Sequence, residues 1–302
     1  KNACASYSAC KWKLNEIKNI LKMKTLIYSL CLSLGLFSLQ AAKNETLEKK
    51  VNLEYELNRN AQIDIDASNT DLRIEVWDQA KMEIEVTFRF RGKEHREKIE
   101  EFLKDFDTKV KESIIASPEA FRLQTYRTLP KKVNIGWEDF SILQYTFSRD
   151  EVQLEYHIKM PAQGQVNIRH SYRDLRVFGT LHKLKLEQYS GRFAAEQIND
   201  GDLSMKYGEA NITRFLAGSI YFYENELTGK QFGKFTLNAK YSQLRINEVD
   251  RMELTAYESE GQFQKMVSLN GNLKYSDIRC EQMNELEVTS YESRFNINTL
   301  NK

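Results

Sequence analysis

Tyrosine recurs along the second half of the chain at positions 172, 189, 207, 223, 241, 257, 275 and 291, a first step of 17 residues followed by steps alternating between 18 and 16. A period this regular limits the chain to a repeat architecture in which each unit buries its apolar face on the next. The period doubles at 34: Lys206-Tyr207, Lys240-Tyr241 and Lys274-Tyr275 repeat at that distance, as do Tyr223-Glu224, Tyr257-Glu258 and Tyr291-Glu292. Written in rows of 17 from Leu184, the sequence places Leu186, Leu203, Ile220, Leu237, Leu254, Gly271 and Val288 in one column. A second column holds Ile198, Phe215, Phe232, Val249, Met266, Met283 and Leu300. Within a row the apolar residues fall at offsets 0, 2, 4, 9, 11 and 14, which is strand alternation interrupted by corners and has no 3.6-residue component.

This grammar predicts an all-β fold, a parallel β-solenoid with about 17 residues per coil and coils stacked about 4.8 Å apart. Proline is absent after Pro161, which suits uninterrupted ladders because proline would remove a donor from one. At the tyrosine corner, Lys206, Lys240 and Lys274 alternate with Glu224, Glu258 and Glu292. Like charges thus stand two coils apart, and charge spacing is the expected reason for the alternation.

The first half follows the same alternation at Val51, Leu53, Tyr55 and Leu57, at Ile63, Ile65 and Ala67, and at Met82, Ile84 and Val86. From Glu94 the pattern changes: Ile99, Phe102, Phe106 and Val110 share one helical face, so an amphipathic helix interrupts the strands. The expected organisation is N-terminal strands forming the first coils over 42–90, a helix-bearing insertion with irregular strands over 91–160, and solenoid repeats over 161–302.

Upstream, Met23-Lys24, an apolar run from Leu26 to Leu39 and then Gln40-Ala41-Ala42 have the form of a secretory signal peptide over 23–41. Residues 1–22 then precede the true start. Six lysines, one glutamate and three of the four cysteines leave with residues 1–41, turning a net charge of +1 into 38 basic against 42 acidic side chains, a net of −4. The expected product is an exported protein, in the periplasm or at the cell surface, without a transmembrane span. Its only thiol is Cys280, so no internal disulfide supports it. The mild acidity gives no reason to expect a nucleic-acid partner.

The segment from Ile63 to Val86, the charged helix, Tyr156-His157-Ile158-Lys159-Met160-Pro161 and repeats such as Leu237 to Ser259 together resemble the putative-adhesin β-strand-repeat proteins of bacterial envelopes, over about residues 50 to 300. The resemblance implies an exported, right-handed, single-stranded β-helix with an adhesin-like role. It carries no ligand and no functional residue across. The chain departs from the family pattern where Asn69-Thr70 replaces Tyr-Gly and where alternate coils read Tyr-Glu.

No nucleophile elbow, phosphate loop or dinucleotide fingerprint occurs, and His95, His157, His170 and His182 lack metal-ligand spacing, so neither cofactor nor metal is expected. Cys280 shares a column with Ile246, Phe263 and Ile297, the place of a small buried hydrophobe. One outward column, Glu209, Glu226, Gln243, Glu260 and Asp277, could bind a divalent cation, or be neutralised by Arg245 and Arg279. Thr236, Asn238, Ser242, Gln243 and Asn247 are expected on a polar outer surface. The surface-contact candidates are Tyr189, Tyr223, Tyr257 and Tyr291, which either stack on sugars or an apolar partner, or cover the corner by packing on lysine stems. The sequence therefore favours a non-enzymatic adhesin-like or structural module for an envelope polymer or protein, against a carbohydrate-active β-helix lyase or hydrolase. End-to-end homodimerisation through the last coil is a further expectation.

Overall fold

The structure is a computed structural model that describes residues 46–92, 96–125, 151–161 and 163–301. The expected leader and signal peptide lie outside the described residues, as does the middle of the 91–160 insertion. In chain order the elements are β1 (Leu47–Glu56), β2 (Gln62–Ser68), β3 (Asp71–Trp77), β4 (Lys81–Phe90), α1 (Arg96–Lys104), α2 (Phe106–Glu112), β5 (Ile114–Ala116), β6 (Ala120–Gln124), β7 (Val152–Pro161) and β8 (Gln165–Ser171). They continue as β9 (Leu175–Lys240), β10 (Gln243–Tyr257), β11 (Glu260–Lys274), β12 (Asp277–Tyr291) and β13 (Arg294–Leu300).

The chain winds into a β-solenoid of about eight turns with roughly 17 residues per turn. From β9 to β13 the strands pair in parallel with a constant register shift of 17, as in Leu237↔Leu254 and Leu254↔Gly271. The shift is 18 from β8 to β9 and 103 from β2 to β8, as in Ile63↔Val166. The same 103 separates Leu72 from Leu175 between β3 and β9. Thus β2 and β3 form a first coil, β8 and the start of β9 the second, and everything between Trp77 and Gln165 is inserted.

That insertion supplies the pairing that the first coil would otherwise lack. On its outer side β7 runs parallel to β3 and β6 parallel to β2. Beyond β7, β4 and then β1 add antiparallel strands, so these two flank the parallel ladder instead of extending it. The helical pattern is realised as two helices interrupted at Asp105, with Ile99, Phe102, Phe106 and Val110 all buried. Phe88 of β4 meets Phe102 and Phe106 with ring centroids 5.5 and 5.8 Å apart. Each such aromatic pair contributes about 0.5–1.5 kcal/mol beyond area burial.

The core is the stack of inward columns. Leu186, Leu203, Ile220, Leu237 and Leu254 are at most 2% exposed, and Ile198, Phe215, Phe232, Val249, Met266 and Met283 at most 3%. Cys280 is buried with them, its thiol pushed up in pKa by burial and donating to the Gln282 carbonyl at 3.2 Å. At the edge formed by β12 and β13 the columns open, with Leu286 40% and Leu300 57% exposed.

Candidate functional site

One corner of every coil turns on a residue with positive φ. In order these are Asn69, Tyr172, Ser190, Tyr207, Glu224, Tyr241, Glu258, Tyr275 and Glu292, with φ between 45° and 69°. None is glycine, and each costs of order 1 kcal/mol or more unless its surroundings hold it. Two ladders do so, one inside the corner and one outside.

The inner ladder runs through the residue that follows each of the later left-handed positions. The backbone N–H of Ser242 donates to the hydroxyl of Ser259 at 3.1 Å, Ser259 to Ser276 at 3.2 Å and Ser276 to Ser293 at 3.1 Å. Each hydroxyl in turn donates to the carbonyl two residues earlier, as Ser259 does to Tyr257 at 2.9 Å. Asn225 extends the ladder by accepting from Gly208 and donating to the carbonyls of Met205 and Tyr223. Ser242 is therefore not on the outer surface: it is 2% exposed, because the left-handed residue before it adds a step that returns the next side chain to the interior.

The outer ladder is the tyrosine column. All eight rings, from Tyr172 to Tyr291, form one continuous row with consecutive centroids 5.2–5.8 Å apart and ring planes at 69–87°. Tyr172, Tyr207, Tyr241 and Tyr275 occupy the left-handed position itself, whereas Tyr189, Tyr223, Tyr257 and Tyr291 leave from the residue before it. Identical rings launched from identical positions would be driven toward face-to-face stacking, which the ring quadrupole disfavours. Alternating the launch point turns each ring edge-on to the next. The 18/16 alternation thus has a geometric cause in ring packing, with lysine and glutamate taking the corner positions that the rings leave.

The sequence candidates Tyr189, Tyr223, Tyr257 and Tyr291 accordingly lie in the column together with the four tyrosines that were not singled out. Tyr172, Tyr189, Tyr207, Tyr241 and Tyr275 are 40–44% exposed and Tyr291 is 55% exposed, while Tyr223 and Tyr257 are half-buried. The Lys274 ammonium lies 5.2 Å from the Tyr275 ring centre and 5.7 and 5.8 Å from those of Tyr257 and Tyr291. A hydrogen bond to the Glu258 carboxylate, helped by desolvation, pushes the Tyr257 phenol up to about 12, and Glu292 likewise raises Tyr291. The column is a ridge of rings held by their neighbours.

Some charges on the other outward columns are paired. In the acidic column Arg279 pairs with Asp277 at 3.1 Å and Arg245 reaches Glu226 at 3.8 Å. Among the described residues no three His, Cys, Asp or Glu side chains gather as metal ligands, and no helix is long and apolar enough to cross a membrane. A groove of about 500 Å³ crosses β2, β6, β8 and β9. Three carboxylates line it: Asp64 accepts from Asn167 at 2.7 Å and faces Arg122 at 3.7 Å, Glu187 pairs with Arg169 at 3.3 Å, and Asp66 stands beside them. His157 faces Glu75 at 3.3 Å, and His170 is buried in the core.

No protein-family model and no curated protein matches the sequence. Among solved structures, the chain is similar to a "putative lipid binding protein" from Parabacteroides distasonis, at 10% identity and a TM-score of 0.44, over 84% of this chain and 97% of that one. It is also similar to a "putative adhesin" from Bacteroides fragilis, at 10% identity and 0.41, over 83% and 97% of the two chains. A "putative adhesin" from Parabacteroides merdae matches at 11% identity and 0.41, over 82% and 96%.

Proposed function

We propose that the chain is an exported, non-enzymatic, adhesin-like interaction module whose contact surface is the tyrosine column. The observation that carries this reading is the unbroken row of eight half-exposed rings, each packed edge-on against its neighbours in the row. Tyrosine offers a large amphipathic contact area with few rotatable bonds, and rings already locked in a row lose little entropy on binding. Export rests on the apolar 23–41 segment, and the periplasm or cell surface is the corresponding place of action. In the groove across β2, β6, β8 and β9 two of the three carboxylates, Asp64 and Glu187, are drawn to arginines, which does not favour a free acid–base pair of the kind a lyase or hydrolase uses. The partner is an envelope polymer or protein.

The test is retention of the purified protein on envelope fragments, comparing wild type with the Tyr223→Ala/Tyr257→Ala double variant after both are shown to melt cooperatively. Retention should drop about tenfold or more in the variant. Unchanged retention would remove the column from the interface. End-to-end stacking of a second copy on the β12–β13 edge, where Leu286 and Leu300 are exposed, belongs to the same proposal. A strictly monomeric sedimentation profile at high concentration would refute it.

A further inference from the structure

The geometry of the column narrows the chemistry of what it can hold. Rings of one class, those leaving from the left-handed position, recur every second coil at Tyr172, Tyr207, Tyr241 and Tyr275; the other class fills the coils between. Because successive planes are turned by 69–87°, equivalent ring faces return only after two coils, about 9.6 Å at the usual strand spacing. A ligand lying along the ridge must therefore be straight, carry apolar faces, advance by about one coil per unit, and present equivalent faces at every second unit.

A β-1,4-linked hexopyranose chain meets each of these conditions. In its extended ribbon form every sugar is turned over relative to the one before it, so equivalent C–H faces recur at every second sugar. The length of one pyranose ring along the chain is also close to one strand spacing. An α-1,4-linked chain of the same sugars coils and loses phase with a straight column within a few units. The two edges of a ribbon carry hydroxyls, and the charged flank of the ridge supplies donors and acceptors for them in Lys206, Lys240, Lys274, Glu224, Glu258 and Glu292.

Charge decides between classes of glycan. Along the corner those three lysines and three glutamates alternate, so their charges cancel and the ridge has no net field to draw in a polyanion. We propose, on the reading that the tyrosine column is the contact surface, that its ligand is an uncharged β-1,4-linked glycan laid parallel to the solenoid axis. Affinity then comes from several weak ring-to-sugar contacts made in series on a preorganised row, so it grows with the number of sugars.

The experiment titrates the full chain with cellobiose, cellohexaose, chitohexaose and maltohexaose, and repeats the titration with Tyr223→Ala/Tyr257→Ala and with Thr236→Ala, an exposed position outside the tyrosine column. The β-1,4 hexasaccharides should bind about tenfold or more tightly than both cellobiose and maltohexaose. The double tyrosine variant should lose that binding and Thr236→Ala should keep it. Maltohexaose binding as well as cellohexaose, affinity independent of length, or binding that survives the tyrosine substitutions would each overturn the proposal. The linkage and length comparisons use the wild-type chain, so a variant that fails to fold does not obscure them. If no β-1,4 oligomer binds while the double variant still loses retention on envelope fragments, the contact surface stands and the glycan class falls. If neither changes, both readings fall.

Discussion

At the scale of single residues, the corner shows how polar groups make an apolar solenoid possible. A left-handed turn interrupts the backbone ladder, and the serine hydroxyls replace the missing acceptors at Ser242, Ser259 and Ser276. Ser259→Ala would leave the buried N–H of Ser242 without its acceptor, at about 1–3 kcal/mol by urea unfolding. Removing Ser293, which is itself part-exposed at the edge of the solenoid, should cost less, because water can take the place of its hydroxyl beside the Ser276 N–H. Glu258→Gln should return the Tyr257 phenol from about 12 toward the ordinary tyrosine value of 10.0, read by spectrophotometric titration. An unmoved titration would show that Glu258 is not the cause. The 17-residue serine column is visible in the sequence, yet its direction is not. Outward and inward polar columns look alike until the extra left-handed step before Ser242 is known, and tyrosine or glutamate in that step gives none of the signal that glycine would.

At the scale of elements, the seam between the first coil and the rest holds a buried histidine whose protonation opposes folding. His170 of β8 stands between β2 and β9, 3% exposed, its Nε2–H donating to the Thr70 carbonyl at 2.7 Å. Its Nδ1 has no partner, and neither does the side-chain amide of Gln188, its register neighbour on β9. Burial pulls the imidazole pKa below its usual value against the opposing pull of the Thr70 carbonyl, Asp71 and Asp174. Those two carboxylates are themselves near Arg173 and Arg192. The unfolded chain therefore takes up a proton near pH 6.5 that the native state refuses, so stability is complete above about pH 6.5 and declines as acid is added below it. Urea midpoints should fall between about pH 7 and about pH 5 in the wild type, and His170→Gln should flatten that slope. An equal slope in the variant would place the acid sensitivity elsewhere. Neither this seam nor the β4–β7 pairing was legible beforehand. Alternation identifies a strand, but it does not say that Val86 meets Tyr156 antiparallel across the inserted segment.

At the scale of the whole molecule, the 17-residue period was sufficient to specify the solenoid, because each column of Leu, Ile, Val, Phe and Met has only one way to become continuous. The candidate site was half legible. Tyr189, Tyr223, Tyr257 and Tyr291 stood out by spacing, whereas their merger with the other four tyrosines depends on backbone conformation at the corner. That merger makes one row of edge-on rings, with serines inside its later corners and Lys274, Glu258 and Glu292 beside its later rings. The most direct test is hydroxyl-radical footprinting of the full chain free and bound to envelope fragments. The tyrosines from Tyr172 to Tyr291 should be protected together, while Leu216 and Val267, exposed on another corner, stay reactive. Protection centred on Leu216 and Val267, with the tyrosines still reactive in the bound state, would contradict the assignment of the column as the binding surface.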